Sequence, residues 1–284
     1  LAEAKAAALK AIEEAVAADK RDDDSDVNWK AITDKAAEAK ADIEAVTVDN
    51  IAQIDAIKTD ALTAIDEVKT IAEELEAYKT EKKNALDGIL SALVETDYYA
   101  AEWSDIQGYV TSGKTAIAEA ADTAAVDKAI ADAEAAINAV EKKADVIEKA
   151  NSELKAYADE KGEGNYTAAD WLKIASYIED AAEEITAADS KEKVAEAVAA
   201  AKTAIDGVEL APVRIEGKIG YAALKEAIEA AETSDVIRIY ADIKEDEGNI
   251  KYQITKAITI EGVIDNGKKP VVYGGFSIVI KGVS

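Results

Sequence analysis

Apolar residues recur at helical spacing along most of the chain. Leu9, Ile12 and Val16 mark a helix over residues 1–19, a second runs from about Val27 to Ala45, and Thr47-Val48-Asp49 caps a third. From Asn50 to Val94 there is no proline and the only glycine is Gly88. Across that stretch the series Ile51, Ile54, Ile57, Leu62, Ile65, Val68, Ile71, Leu75 and Tyr78 continues without a gap. The pattern predicts one helix of roughly 67 Å, too long for one small bundle and suited to being shared by two. Residues 124–160, also free of glycine and proline, predict a second shared helix.

The pattern repeats. Trp29, Trp103 and Trp171 stand 74 and 68 residues apart, each in an alanine-rich unit long enough for about three helices. Each unit closes on a similar phrase: Ala64-Ile65-Asp66-Glu67-Val68, Ala136-Ile137-Asn138-Ala139-Val140 and Ala204-Ile205-Asp206-Gly207-Val208. Tyr98 and Tyr166 lie five residues before their tryptophans, where the first unit has Asp24. Such aromatic pairs can stack on a sugar ring, but packing across a turn is the commoner outcome, so all five rings are expected in the core or at its boundary.

The texture changes after Glu209-Leu210-Ala211-Pro212, which reads as a domain boundary. Eight of the 14 glycines fall in the last 72 residues. A short helix over Ala222 to Ala231 precedes strand-like runs at 236–240, 257–260, 271–273 and 276–280. The predicted fold is multidomain and mainly α. Three-helix modules over 1–74, 75–146 and 147–210 are joined by continuous helices into a rod, and a small α+β module covers 213–284.

Charge and composition narrow the function. Asp+Glu 59 against Lys+Arg 33 gives a net charge of −26, which argues against a nucleic-acid partner, since phosphate binding needs clustered Lys and Arg. The excess lies in the helical part, because residues 213–284 carry 10 basic and 11 acidic side chains. Cysteine and histidine are both absent, which excludes disulfides, nucleophilic triads built on these residues and ordinary zinc sites. No run reaches the roughly 18 apolar residues of a membrane span, so membrane insertion is not expected. The chain begins at Leu1 in helical sequence, contains no methionine, and reads as a processed or trimmed fragment of an exported protein.

Two motifs invite chemical readings. Gly108-Tyr109-Val110-Thr111-Ser112-Gly113-Lys114-Thr115 matches the phosphate-loop pattern, yet no strand precedes it, and alignment on the tryptophans places it in mid-helix. Asp22, Asp24 and Asp26 mimic the opening ligands of a calcium loop, but Val27 and Thr33 occupy the positions that need glycine and glutamate. Asp242, Glu245, Asp246 and Glu247 form a second acidic turn before Gly248-Asn249. No catalytic, cofactor or metal residue is assigned, and no cofactor is expected.

Tyr166-Thr167-Ala168-Ala169-Asp170-Trp171, with Ile174, Ile178, Ile185, Val194, Val198, Ala201, Ile205 and Val208, resembles the FIVAR module of bacterial surface proteins and secreted carbohydrate-active enzymes. Unit two is similar through Tyr98, Trp103, Ile117, Val126, Ile130 and Ile137, and the resemblance spans about residues 1–210. The tail resembles the N-terminal cap and first coil of a pectate-lyase-like right-handed β-helix. That likeness rests on Ala223-Leu224-Lys225-Glu226-Ala227-Ile228, Asp235-Val236-Ile237-Arg238-Ile239 and the run from Ile254 to Gly262.

Together the resemblances imply an extracellular, cell-surface or secreted protein: a non-catalytic, adhesin-like stalk with a polysaccharide or host or cell-wall glycan as partner. The alternative is an accessory, non-catalytic region of a secreted polysaccharide-degrading enzyme. The strands around Ile258, Val272 and Ile278 supply little more than one coil, and the last strand is guarded by Lys281 alone. The tail is therefore expected to be an unfinished solenoid that self-associates through its β edge or packs on the helices.

Overall fold

The computed structural model describes residues 1–19, 24–47, 50–244, 250–264, 267–273 and 276–280, with the backbone alone at 250–251 and 276–280. The protein is mainly helical, with a small strand-containing region at its C-terminus. It divides into two compact units, Leu1–Val94 with Ser104–Val140, and Glu95–Trp103 with Glu141–Ser284.

In the first unit, α1 (Ala2–Ala18), α2 (Asp26–Ala45) and α3 (Ile51–Asp66) surround one core built on Ile12, Ile32, Ile43, Ile54 and Ile65. Polar caps set the helix starts: the Ser25 and Asn50 side chains accept from the N–H groups of Asn28 and Gln53. Then follow α4 (Ile71–Ala92), α5 (Ala100–Glu119) and α6 (Thr123–Asn138), with Gly113 of α5 set against Leu86 of α4 and Ala133 of α6.

The long helix expected from Asn50 to Val94 is not formed. It breaks at Glu67–Thr70, between α3 and α4. A capping box makes the break without glycine or proline: Thr70 Oγ accepts from Glu73 N–H while the Glu73 carboxylate accepts from Thr70 N–H at 2.9 Å. Val68 still packs on the core, which is why the apolar series runs unbroken through a turn. The second predicted long helix likewise ends at Asn138, and α7 (Lys143–Lys161) begins afresh. All three closing phrases make the same turn, with Val68, Val140 and Val208 N–H donating to Ile65, Ile137 and Ile205 carbonyls at 3.1, 3.2 and 3.1 Å.

In the second unit, α7, α8 (Ala168–Ala187) and α9 (Lys191–Asp206) enclose Leu154, Ile174, Ile185, Val194 and Ile205. Tyr99 belongs to this unit and inserts among Ala150, Leu154, Ile185 and Val194. Counted from each tryptophan, the same positions are buried three times over: Ile12, Leu86 and Leu154; Ile32, Ile106 and Ile174; Ile43, Ile117 and Ile185.

The C-terminal region opens with β1 (Val213–Ile215) and α10 (Leu224–Ala230). Three strands follow, β2 (Val236–Ile239), β3 (Ile243–Lys244) and β4 (Ile250–Ile254), then β5 (Thr259–Gly262), β6 (Val272–Tyr273) and β7 (Phe276–Ile280). β1 lies antiparallel to β2, while β5, β6 and β7 pair in parallel with β2, β3 and β4 in that order. Paired residues are 23, 29 and 26 positions apart. Leu224, Ala227 and Ile228 of α10 close the core formed by Val213, Ile237, Ile239, Ile243 and Tyr252.

Candidate functional site

The signature tryptophans occupy one position in three helices. Trp29, Trp103 and Trp171 N–H groups donate to the N-cap carbonyls of Ser25, Tyr99 and Thr167 at 2.9, 2.9 and 2.8 Å. Each indole is half-buried. Tyr98 and Tyr166 are buried, with ring centroids 6.0 and 5.9 Å from Trp103 and Trp171. These rings face one another inside the fold, which leaves Tyr98 and Tyr166 no open face for a sugar.

The phosphate-loop match lies within α5, as the alignment on the tryptophans predicts. Its Gly113 has a packing role: a Cβ there would meet Ala133 Cβ at 2.7 Å and Leu86 Cδ1 at 3.0 Å. Helix α5 therefore presses against α4 and α6 where the phosphate-loop reading would put a phosphate. Of the calcium-like run, Asp22 lies outside the described residues, Asp24 is buried, and Asp26 opens α2. Among the described residues no group of three acidic side chains is arranged to hold a metal. In the second acidic turn, Asp242 accepts from Val271 N–H at 2.8 Å, and Glu245 to Asn249 lie outside the described residues, as does Lys281.

The most developed polar arrangement lies where the helices meet the β region, a place the sequence suggested only as a boundary. The link is bonded rather than loose. Gly162 ends α7 at φ 74°, a left-handed value that suits glycine, and a short 3-10 turn over Glu163–Asn165 follows. Ala211 N–H donates to the Asn165 carbonyl at 2.8 Å, and Gly220 N–H to the Tyr166 carbonyl at 2.7 Å. Thr167 and Gly220 form a parallel bridge.

Arg214 of β1 reaches across this joint. Its Nε donates to the Ala211 carbonyl at 3.0 Å and its Nη1 to Asn165 Oδ1 at 3.1 Å, while the guanidinium carbon sits 4.1 Å from the centroid of the Tyr240 ring. Burial lowers the Arg214 pKa from its ordinary value, against an opposing influence from Tyr240 and Tyr166. Around it a cleft of about 260 Å³ is lined by Asn165, Glu216, Lys218, Arg238 and Tyr240, among others. Two of the chain's three arginines thus line one cleft of a protein with net charge −26. That scarcity was visible in the sequence, whereas their meeting depends on strand register.

No protein-family profile, curated protein sequence or solved structure matches this chain.

Proposed function

We propose that the chain is a non-catalytic spacer of an exported cell-surface protein, built of three-helix modules in tandem and holding its C-terminal β module toward a glycan or host surface. The observation that carries this reading is the threefold recurrence of one buried set, from Ile12, Leu86 and Leu154 to Ile65, Ile137 and Ile205. Repeating a small bundle adds length without adding a shared site, which is the economy of a spacer. Acidity supports it, since like charge keeps an extended chain soluble and self-repelling.

The parallel stacking of β5, β6 and β7 on β2, β3 and β4 supports reading the tail as the capped start of a solenoid. Its hydrogen bonds to the turn before α8 favour fixed presentation over a flexible tether. Small-angle scattering of the full chain tests the proposal. A spacer gives a radius of gyration well above the roughly 19 Å of a compact chain of this length. A value near that figure overturns it.

A further inference from the structure

Arg214 and Arg238 are directly opposed cross-strand partners in the antiparallel β1–β2 pair, and both line the same cleft. Like charges in that relation destabilise a sheet unless something neutralises them. Arg238 has its counterion, since its Nε lies 2.7 Å from Glu261 Oε1 on β5. Lys218 has one too, 3.0 Å from Asp235. Arg214 does not: among the described residues it bonds only neutral oxygens, those of Ala211 and Asn165. A guanidinium carries five N–H donors, so beyond these two bonds three remain for the oxygens of an anion.

We propose that this cleft is a carboxylate-binding site, with Arg214 as the ligand fork, Tyr240 and Asn165 holding it in place, and Lys218 and Arg238 supplying a positive surround. A singly charged carboxylate fits better than a phosphate dianion, because one cation of the cleft has no counterion among the described residues and Glu216 stands at the rim as a competing charge. Glu216 is loosely held, with its side chain 90% exposed and 3.7 Å from Arg238 Nη1. The cleft volume leaves room beyond the carboxylate for a small body attached to it, a free organic acid or a sugar acid. The inference rests on Arg214 and its surroundings and does not depend on the spacer reading.

The chain has three arginines, Arg21, Arg214 and Arg238, so the side-chain Nε–H region of a nitrogen–proton NMR spectrum reports the site directly. The full chain is titrated with acetate, with galacturonate, with neutral galactose, and with sodium chloride at matched ionic strength. The Arg214 signal is expected to move with acetate and galacturonate, saturably, and not with galactose or chloride. Equal affinity for the two acids identifies a free carboxylate as ligand, and tighter galacturonate identifies a sugar acid; both support the site. Arg214→Lys keeps the charge but loses the fork, and should weaken binding by about tenfold. Glu216→Gln removes the competing carboxylate and should tighten binding by about twofold to threefold. It lies at the exposed rim, so it remains informative if the Arg214 variant fails to fold. A still Arg214 signal, or the same shift with chloride, overturns the proposal, as does unchanged affinity in a folded Arg214→Lys variant.

Discussion

Lys114 Nζ lies 2.7 and 2.6 Å from the two carboxylate oxygens of Asp87, tying α5 to α4. The first bundle makes the same tie between Lys40 and Glu13, at 2.9 Å, with both residues at the same offsets from their tryptophan. The lysine of the phosphate-loop match is therefore one copy of a structural pair. Lys114→Ala should leave the chain without nucleotide affinity, as the parent is expected to be. It should cost about 0.2–1 kcal/mol, the range for a solvent-screened pair, and less at high salt. Magnesium-dependent ATP binding by the parent that this substitution abolishes, measured by calorimetry, would contradict the assignment.

Gly113→Ala tests the neighbouring position. Alanine is worth about 1 kcal/mol over glycine in a helix interior, but overpacking costs about 1–3 kcal/mol. The nearest obstacle, Ala133 Cβ, is fixed to its own backbone and cannot rotate away. Overpacking should win, giving a net loss of about 1 kcal/mol in urea unfolding, and Ala133→Gly in the same chain should recover much of it. Stabilisation by Gly113→Ala alone would show that the contact is looser than 2.7 Å implies.

The helices were legible because their signals are local. Leu9, Ile12 and Val16 mark α1 through spacing alone, and all three pack on one core. The break at Thr70 has a local signal in Thr70-Ile71-Ala72-Glu73, which reading the apolar series as one helix passed over. The junction was not legible. Arg214 meets Asn165 from 49 residues away, and its opposition to Arg238 depends on pairing that no short window encodes. Strands β1, β3 and β4 escaped as well: β1 and β3 are three and two residues long, and all three are defined by their partners.

Helices α1 to α3 and helices α8 and α9 should respond to acid with opposite signs. In the first, burial raises the Asp19 pKa above its ordinary 3.8, and the charges of Asp24, Asp66 and Glu73 add to the effect. A carboxyl so placed holds its proton more tightly folded than unfolded, so stability grows as pH falls through its range. In the second unit Lys173 and then Thr167 lower Asp170, and Lys161 and then Tyr157 lower Asp206. Their contribution is complete above the ordinary 3.8 and is lost as pH falls below it. Hydrogen exchange of α1 to α3 should slow, after correction for intrinsic rates, between neutral pH and the carboxylate range. That of α8 and α9 should quicken only below it. The same sign in both sets of helices would show that relief of the net charge of −26 outweighs the local pairs.

The joint between helices and β region yields the last prediction. Gly220 sits where a Cβ would collide with Ala211 Cβ and stand 2.7 Å from the Tyr166 carbonyl oxygen. That same carbonyl accepts the Gly220 N–H, so the two backbones cannot part without losing the bond. Gly220→Ala should cost about 1–3 kcal/mol as an overpacking change, and the loss should be local. α8 and α9 have their own core at Ile174, Ile185 and Ile205, whereas Arg214 and the bridge to Thr167 depend on the joint. Limited proteolysis should therefore cut the variant faster between 207 and 222 and leave the helical fragment resistant. A fixed joint also predicts that a spin label in α8 and another near β5 give one narrow distance distribution in the parent and a broad one in Gly220→Ala. Narrow distributions in both would mean that the Tyr166–Gly220 contact does not set the orientation of the β region, and the case for fixed presentation would rest on Arg214 and the Ala211–Asn165 bond.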